Sequence, residues 1–195
     1  MRTHQKQQNY TYADYCQWDD SRRWELVDGA AYALTAPGLW HQRMLGRLFR
    51  KFDEYLDGKE CEVFMAPCDV RLNADKADNI VVQPDLLIVC DPEKLADGKA
   101  VNGAPDLIIE ISSPSTSKTD NNIKLRKYRE AGVKEYWIVS PDPDMVRVHV
   151  LKNHEYVIID SFSPEEKAPV GIFPGFKIDL AEIFDTPEQE DTGEQ

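Results

Sequence analysis

One carboxylate, Glu110, interrupts the apolar run of the segment VNGAPDLIIEISSPST at residues 101–116. The run has the composition of a buried β-strand that is covered on both faces. A buried carboxylate destabilises a fold unless a cationic side chain or a metal ion compensates its charge. The position of Glu110 therefore indicates either a salt bridge or a metal site.

A second carboxylate, Asp85, begins a similar strand, because Pro-Asp-Leu occurs at 84–86 and again at 105–107. If the two strands pair as antiparallel neighbours, the start of the first lies beside the end of the second, and Asp85 lies next to Glu110. Two carboxylates on adjacent strands can hold Mg²⁺ while water fills its other positions. Asp106 shares a face with Glu110 but lies about 13 Å away along the strand, which is too far to share one ion.

The predicted helix that follows Glu110 can supply a cation. Its segment TDNNIKLRKYREAG at 119–132 carries Asp120 and Lys124 on one face, and a short loop returns the helix over the end of the strand. Lys124 can therefore reach the two carboxylates, where a lysine beside a metal can orient or activate a water nucleophile. The alternatives are a plain salt bridge between Glu110 and Lys124 and a lysine on the helix surface.

Periodicity and turn signals predict the elements that must position these residues. A short helix at 10–18 precedes a hairpin that turns at Asp28-Gly29, and a helix at 40–57 carries an apolar stripe. Buried strands follow at 61–72, 81–90 and 105–113, then the lysine-bearing helix, a strand at 134–141 and a closing hairpin. The order from residue 40, which is helix, three strands, helix and strand, predicts an α/β fold with a mixed central sheet.

Several motifs in combination carry a resemblance to a known family. The motifs ELVDG, QPDLLIV and APDLIIEISSPST, the residues Asp120, Lys124 and Tyr128, and the motif AGVKEYWIVSP are similar to those of the bacterial Uma-two restriction endonuclease family, within the PD-(D/E)XK nuclease superfamily. The similarity covers about residues 10–185. It implies a restriction-endonuclease-like core with hairpins added at both ends.

The resemblance also implies roles for individual residues. Asp85 and Glu110 match the family's acidic positions, which bind metal, and Lys124 is similar to a lysine that this group supplies from the helix. Glu25 of WELVDG resembles an additional metal ligand of related nucleases. The implied activity is Mg²⁺- or Mn²⁺-dependent hydrolysis of DNA phosphodiester bonds, and a homodimer would cut both strands. The superfamily's usual lysine lies two residues after the glutamate, where this chain has Ser112, so activity depends on Lys124 substituting in space.

The residues alone leave two other functions open. Ser112 at the usual lysine position and the acidic composition favour a non-catalytic binding or assembly module that keeps the nuclease fold. In such a module, Asp85 and Glu110 would bind divalent metal weakly or not at all. A metal-dependent hydrolase of another phosphate ester is the third alternative.

Length and composition fit one domain at 1–185, because 195 residues, of which 42% are hydrophobic, suffice for a sizeable core. The acidic tail at 186–195 is expected to be disordered. No apolar run is long enough to cross a bilayer, and the N-terminal segment lacks the apolar core of a secretory signal. We therefore expect a soluble cytoplasmic protein without a membrane partner.

The net charge of −12 argues against a general nucleic-acid binder. The segment from Glu182 onward carries six acids and no Lys or Arg, so the rest of the chain has a net charge of −6. Two segments, 41–51 and 117–129, are basic and can form a working face on an acidic protein. The alternative is that they are the solvated faces of two helices.

The cysteines, three histidines and Tyr128 are expected to have structural or surface positions. Free thiols in a reducing compartment are expected at Cys16, Cys61, Cys68 and Cys90. His41 is expected to be a structural, hydrogen-bonded histidine near the start of its helix. His149 and His154 are expected on the surface of the closing hairpin, and Tyr128 in the core.

Overall fold

A computed structural model describes residues 9–19, 21–74, 76–112 and 118–185, and within 118–121 it describes the backbone only. The predicted acidic tail at 186–195 lies outside the described residues. The α-helices are α1 (Tyr12–Tyr15), α2 (Leu39–Leu56), α3 (Lys118–Ala131) and α4 (Ala181–Phe184), and one 3₁₀ turn spans Pro92–Leu95.

The strands of the described residues form one large sheet, one smaller sheet and a ribbon. The smaller sheet contains, in spatial order, β2 (Ala30–Ala33), β1 (Trp24–Val27), β5 (Val81–Val82), β4 (Val70–Arg71) and β7 (Val101–Asn102). The large sheet contains β11 (Glu155–Phe162), β10 (Asp144–Lys152), β9 (Glu135–Pro141), β8 (Leu107–Ile111), β6 (Leu86–Val89) and β3 (Glu62–Met65). The ribbon pairs β12 (Lys167–Pro169) with β13 (Lys177–Asp179).

The predicted α/β class with a mixed sheet is confirmed, because β8 pairs parallel with β9 and antiparallel with β6. The sequence did not indicate the second sheet. Each of the predicted strands 61–72 and 81–90 divides into two strands, and the two parts join different sheets. Pro67 and Pro84 lie at the divisions, where a missing N–H prevents a continuous hydrogen-bonded ladder.

The large sheet is covered on both faces. The apolar stripe of α2, which includes Leu48 and Phe52, packs on one face with the C-terminal elements. A second cluster fills the space between the two sheets and α3, and it contains Ile108 of β8 and Tyr128 of α3. Since successive side chains of a strand point to opposite faces, Glu110 faces the same side as Ile108, between the sheets and beneath α3.

The prediction of four free thiols is wrong for Cys61 and Cys90, which form a disulfide. These residues extend the antiparallel pair of β3 and β6, in which Glu62 lies opposite Val89, so the register places the two cysteines face to face. Cys16 and Cys68 are free. Among the residues that the structure describes, no helix combines the length and apolar character of a bilayer span.

The closing hairpin is confirmed as β10 and β11, but the prediction for His149 is wrong. His149 is buried, and its ring stacks on Tyr136 at a centroid distance of 5.7 Å. The reason is that β10 lies between β9 and β11 rather than at an edge, and Tyr156 of β11 packs against the same ring. His154 is exposed in the hairpin turn, as predicted.

Candidate active site

The pairing of β6 with β8 brings Asp85 and Glu110 together. Leu86 lies opposite Ile109 in an antiparallel register, and one step further Asp85 lies opposite Glu110. The predicted adjacency of the two carboxylates is therefore confirmed. Their side chains are 17% and 14% exposed, so this pair lies at an opening between the sheets rather than in a sealed core.

Main-chain and side-chain contacts fix the Asp85 carboxylate. Its Oδ2 accepts a hydrogen bond of 2.7 Å from the N–H of Ile111, the residue directly after Glu110. His41 Nε2, from the first turn of α2, lies 3.0 Å from the same oxygen. The expectation of a partnered His41 near the start of its helix is confirmed, but the sequence did not indicate Asp85 as its partner because the two residues lie on different elements.

Lys124 reaches the site from α3 as predicted. Its Nζ donates hydrogen bonds of 2.8 Å to Glu110 Oε1 and 2.8 Å to Glu25 Oε1. The alternative of a lysine on the helix surface is therefore excluded, since the Lys124 side chain is only 10% exposed. The ammonium group lies between two carboxylates that come from different sheets.

Tyr128, one helical turn after Lys124, completes the shell around Glu110. It is buried, as predicted, and its hydroxyl donates a hydrogen bond of 2.6 Å to Glu110 Oε1. The polar end of this tyrosine was not assigned a partner from the sequence. The spacing of four residues between Lys124 and Tyr128 is the signal that could have found it, because such residues share one helix face.

Glu25 lies in the middle of β1 and is fully buried. Its Oε1 accepts from Lys124 and also accepts a 3.0 Å hydrogen bond from the main-chain N–H of Gln83. Lys124 therefore lies between Glu25 on one side and Glu110 on the other. Its role as an additional metal ligand stays a prediction.

The electrostatics of the site follow from burial and from the three carboxylates. Burial raises the pKa of Glu110, the Lys124 ammonium opposes this shift, and the carboxylates of Asp85 and Glu25 add to it. Burial alone would lower the pKa of Lys124, but Glu110 and Glu25 outweigh it and raise that pKa above its usual range. Lys124 is therefore held as an ammonium ion and cannot serve as a proton acceptor at neutral pH.

The donor set at the opening fits a hard divalent cation. Asp85 and Glu110 offer carboxylate oxygens, and Mg²⁺ binds through one or two carboxylates while it keeps several waters. Described residues donate hydrogen bonds to one oxygen of each carboxylate, namely Asp85 Oδ2 and Glu110 Oε1. In the part of the chain that the structure describes, no three His, Cys, Asp or Glu side chains converge as a metal cluster. A cation at this opening would therefore depend on the carboxylate pair and water.

The described cations of the two basic segments lie in different surroundings. Lys127 is buried and pairs with Asp28 at 2.7 Å, so a solvated position is wrong for this lysine. Arg47 of α2 donates to the carbonyl of Ile183 in α4. Arg126 is exposed beside Glu130 on the outer side of α3, as a solvated helix face would require.

Comparisons with known proteins agree with this architecture. A family model described as "Uma2: Putative restriction endonuclease" matches residues 12–181. The chain belongs to this family. The resemblance drawn from the motifs is thus confirmed, and the match includes every residue of the candidate site.

A curated relative and a solved structure extend the comparison. An uncharacterized protein of Synechocystis is 30% identical over 130 residues, and the alignment spans 65% of this chain and 66% of that relative. A crystal structure described as a "putative nuclease belonging to DUF820" from Anabaena variabilis covers 90% of this chain and 97% of its own, with a TM-score of 0.72 and 17% identity. At this identity the structural match shows the fold alone.

Proposed function

We propose that this protein is a metal-dependent endonuclease that hydrolyses DNA phosphodiester bonds, with Mg²⁺ or Mn²⁺ at Asp85 and Glu110. Its family is described as "Putative restriction endonuclease", and the description supports a nuclease in general terms. The observation that carries the proposal is the antiparallel register that sets Asp85 beside Glu110, with the Lys124 ammonium 2.8 Å from Glu110.

The proposed site divides its tasks among a few side chains. Asp85 and Glu110 would hold the cation, whose positive charge would stabilise the negative charge that develops on the phosphoryl oxygens. Lys124 would position the attacking water and stabilise charge as a hydrogen-bond donor, because it remains protonated. Its two carboxylate partners fix the direction in which its third N–H points.

Two further residues would keep this geometry in place. Glu25 holds Lys124 from the smaller sheet, and Tyr128 holds Glu110 from the helix. His41 and the Ile111 N–H hold Asp85 from the opposite side. Side chains that are fixed by such contacts lose little entropy when substrate binds, so they are suited to catalysis by positioning.

The test combines cleavage with metal binding on the same samples. Nicking of supercoiled plasmid is measured with Mg²⁺, with Mn²⁺ and with EDTA for the wild type, Glu110→Gln and the control Glu54→Gln, an exposed carboxylate on α2. Calorimetric titration with each metal accompanies the assay. We expect metal binding and nicking in the wild type and in the control, and the loss of both in Glu110→Gln.

A non-catalytic binding or assembly module is the second candidate, because Lys124 already neutralises charge at Glu110 and Glu25. In such a module, Lys124, Glu25 and Glu110 form an ion-pair network that serves only to stabilise the fold. Wild-type protein that binds neither metal would overturn the first candidate and favour this one. Metal binding without nicking of DNA would instead direct the search to another phosphate ester, the third alternative from the sequence.

A further inference from the structure

We infer that Arg23 is a phosphate-binding residue of the same site and contacts the backbone of the nucleic-acid substrate next to Asp85 and Glu110. This inference rests on the proposed function and adds to it a residue that the motifs did not indicate. It follows from the location of Arg23, from the neutral side chain that binds its guanidinium group, and from its positive charge, which that side chain does not neutralise.

Arg23 directly precedes β1 and lies two residues before Glu25, so the two side chains project from the same face of the strand. Leu26 lies opposite Val81 in the antiparallel pair of β1 and β5, and Arg23 Nε lies 2.8 Å from the side chain of Gln83. Gln83 is two residues before Asp85, and its main-chain N–H donates to Glu25. Arg23 is therefore held against the segment that leads into Asp85.

A neutral side chain orients the guanidinium group. Arg23 Nε donates a hydrogen bond of 2.8 Å to Gln83 Oε1. Gln83 Nε2 in turn donates to Asp69 Oδ1 at 2.9 Å and to the Tyr15 hydroxyl at 3.2 Å. Because the carboxylate of Asp69 can only accept from this amide, the oxygen of Gln83 must face Arg23.

The charge of Arg23 is not neutralised by this contact, unlike the charges of Arg71 and Arg129. Arg71 donates to both oxygens of Asp78, and Arg129 pairs with Glu155. Within the described residues, the Arg23 side chain makes one hydrogen bond, which is the bond to Gln83. Its two terminal amino groups thus have donors to offer, and Arg23 is partly exposed.

Phosphate is the ligand class that this arrangement fits. A guanidinium group presents parallel N–H donors that match two oxygens of one phosphate, and such charge-assisted bonds are stronger than neutral ones. Arg23 touches the substrate in this assignment, whereas Gln83 is a positioning residue.

The experiment measures binding of a short fluorescein-labelled DNA duplex by anisotropy, in Ca²⁺ buffer over a range of salt concentrations. It compares the wild type with Arg23→Ala, Arg23→Lys and the control Arg126→Ala, which removes an equal charge from the outer side of α3. We expect Arg23→Ala to bind about tenfold more weakly and to reduce the salt slope by about one, while the control matches the wild type. Arg23→Lys should keep the slope but not the full affinity.

Equal affinity and slope for wild type and Arg23→Ala would overturn the inference, as would wild-type protein that does not bind the duplex. Thermal melting of each variant checks that it is folded, and Gln83→Met gives an independent reading because it frees Arg23 without removing its charge. That variant should keep the salt slope and lose affinity. Plasmid nicking by the wild type is scored separately, so loss of nuclease activity and loss of the Arg23 contact are distinguishable.

Discussion

Glu25 and Glu110 stand in different sheets and share one ammonium group, because Lys124 Nζ lies 2.8 Å from an oxygen of each. The helix that carries Lys124 is thereby tied to both sheets at one point. The same contact that would support catalysis also neutralises two buried charges. Stability and the proposed activity would therefore be coupled at this site, and experiments must separate them.

Replacing Lys124 with methionine should destabilise the fold by about 3–5 kcal/mol, because two buried carboxylates lose their shared cation. Urea unfolding measures this change. Nicking should be abolished. The double variant Lys124→Met/Glu25→Gln should regain part of the stability without regaining activity. Lys152→Met, at an exposed position, serves as the control. Undiminished metal-dependent nicking by Lys124→Met would remove Lys124 from the mechanism.

Removing the hydroxyl of Tyr128 should weaken metal binding about tenfold, because partners that orient a ligand commonly contribute that much. The change is Tyr128→Phe, and the measurement is calorimetric titration with Mn²⁺. A loss of about 1.5–3 kcal/mol of stability should accompany it, since the hydroxyl bonds to a charged group. Tyr156→Phe is the matched control, because its hydroxyl bonds to the carbonyl of Val133 away from the site. Equal metal affinity in both variants would contradict the role of Tyr128.

Thiol titration of the native protein should find two reactive cysteines before reduction and four after it. Cys16 is exposed and should react first. Burial, assisted by the charge of Asp69, raises the pKa of the Cys68 thiol to about 11, so this thiol should react slowly at mildly alkaline pH.

Reduction should also lower the free energy of unfolding by about 3 kcal/mol, because the disulfide of Cys61 and Cys90 constrains the unfolded chain. The double variant Cys61→Ser/Cys90→Ser should show no further effect of reductant. Four reactive thiols in the unreduced native protein would contradict this disulfide.

Acidification should destabilise the protein in part through His149. Burial, with a smaller effect of Arg147, lowers the pKa of His149 in the folded state. The unfolded chain therefore binds the proton first, so the stability present above pH of about 6.5 is lost as pH falls through the folded pKa. In urea unfolding over this range, His149→Phe should lose less stability than the wild type. His154→Gln, which changes an exposed histidine, should follow the wild type, and parallel curves for all three proteins would refute the assignment.

Local sequence patterns were sufficient to predict that Asp85, Glu110 and Lys124 lie together. The repeated Pro-Asp-Leu and the alternation of side chains placed Asp85 beside Glu110, and helical spacing brought Lys124 to them. These are short-range regularities of a strand and a helix, and the structure confirms the resulting adjacency. The roles of these residues in cleavage stay predictions.

The remaining contacts depend on which elements meet in space. Nothing in the local sequence assigns the short strands to two sheets, so the burial of Glu25 against Lys124 and the approach of His41 to Asp85 could not be read from it. The disulfide and the buried His149 likewise depend on pairing register and on the neighbours of β10.

The sequence alone determined the types of groups at the site, the class of fold and the family, because these follow from composition, periodicity and motif spacing. The tertiary structure decided how the charges are shared. Packing of the smaller sheet against α3 gives Lys124 a second carboxylate, and the pairing of β1 with β5 sets Arg23 against Gln83. Such pairings join residues far apart in the chain, and their energies depend on burial, which is a property of the assembled fold.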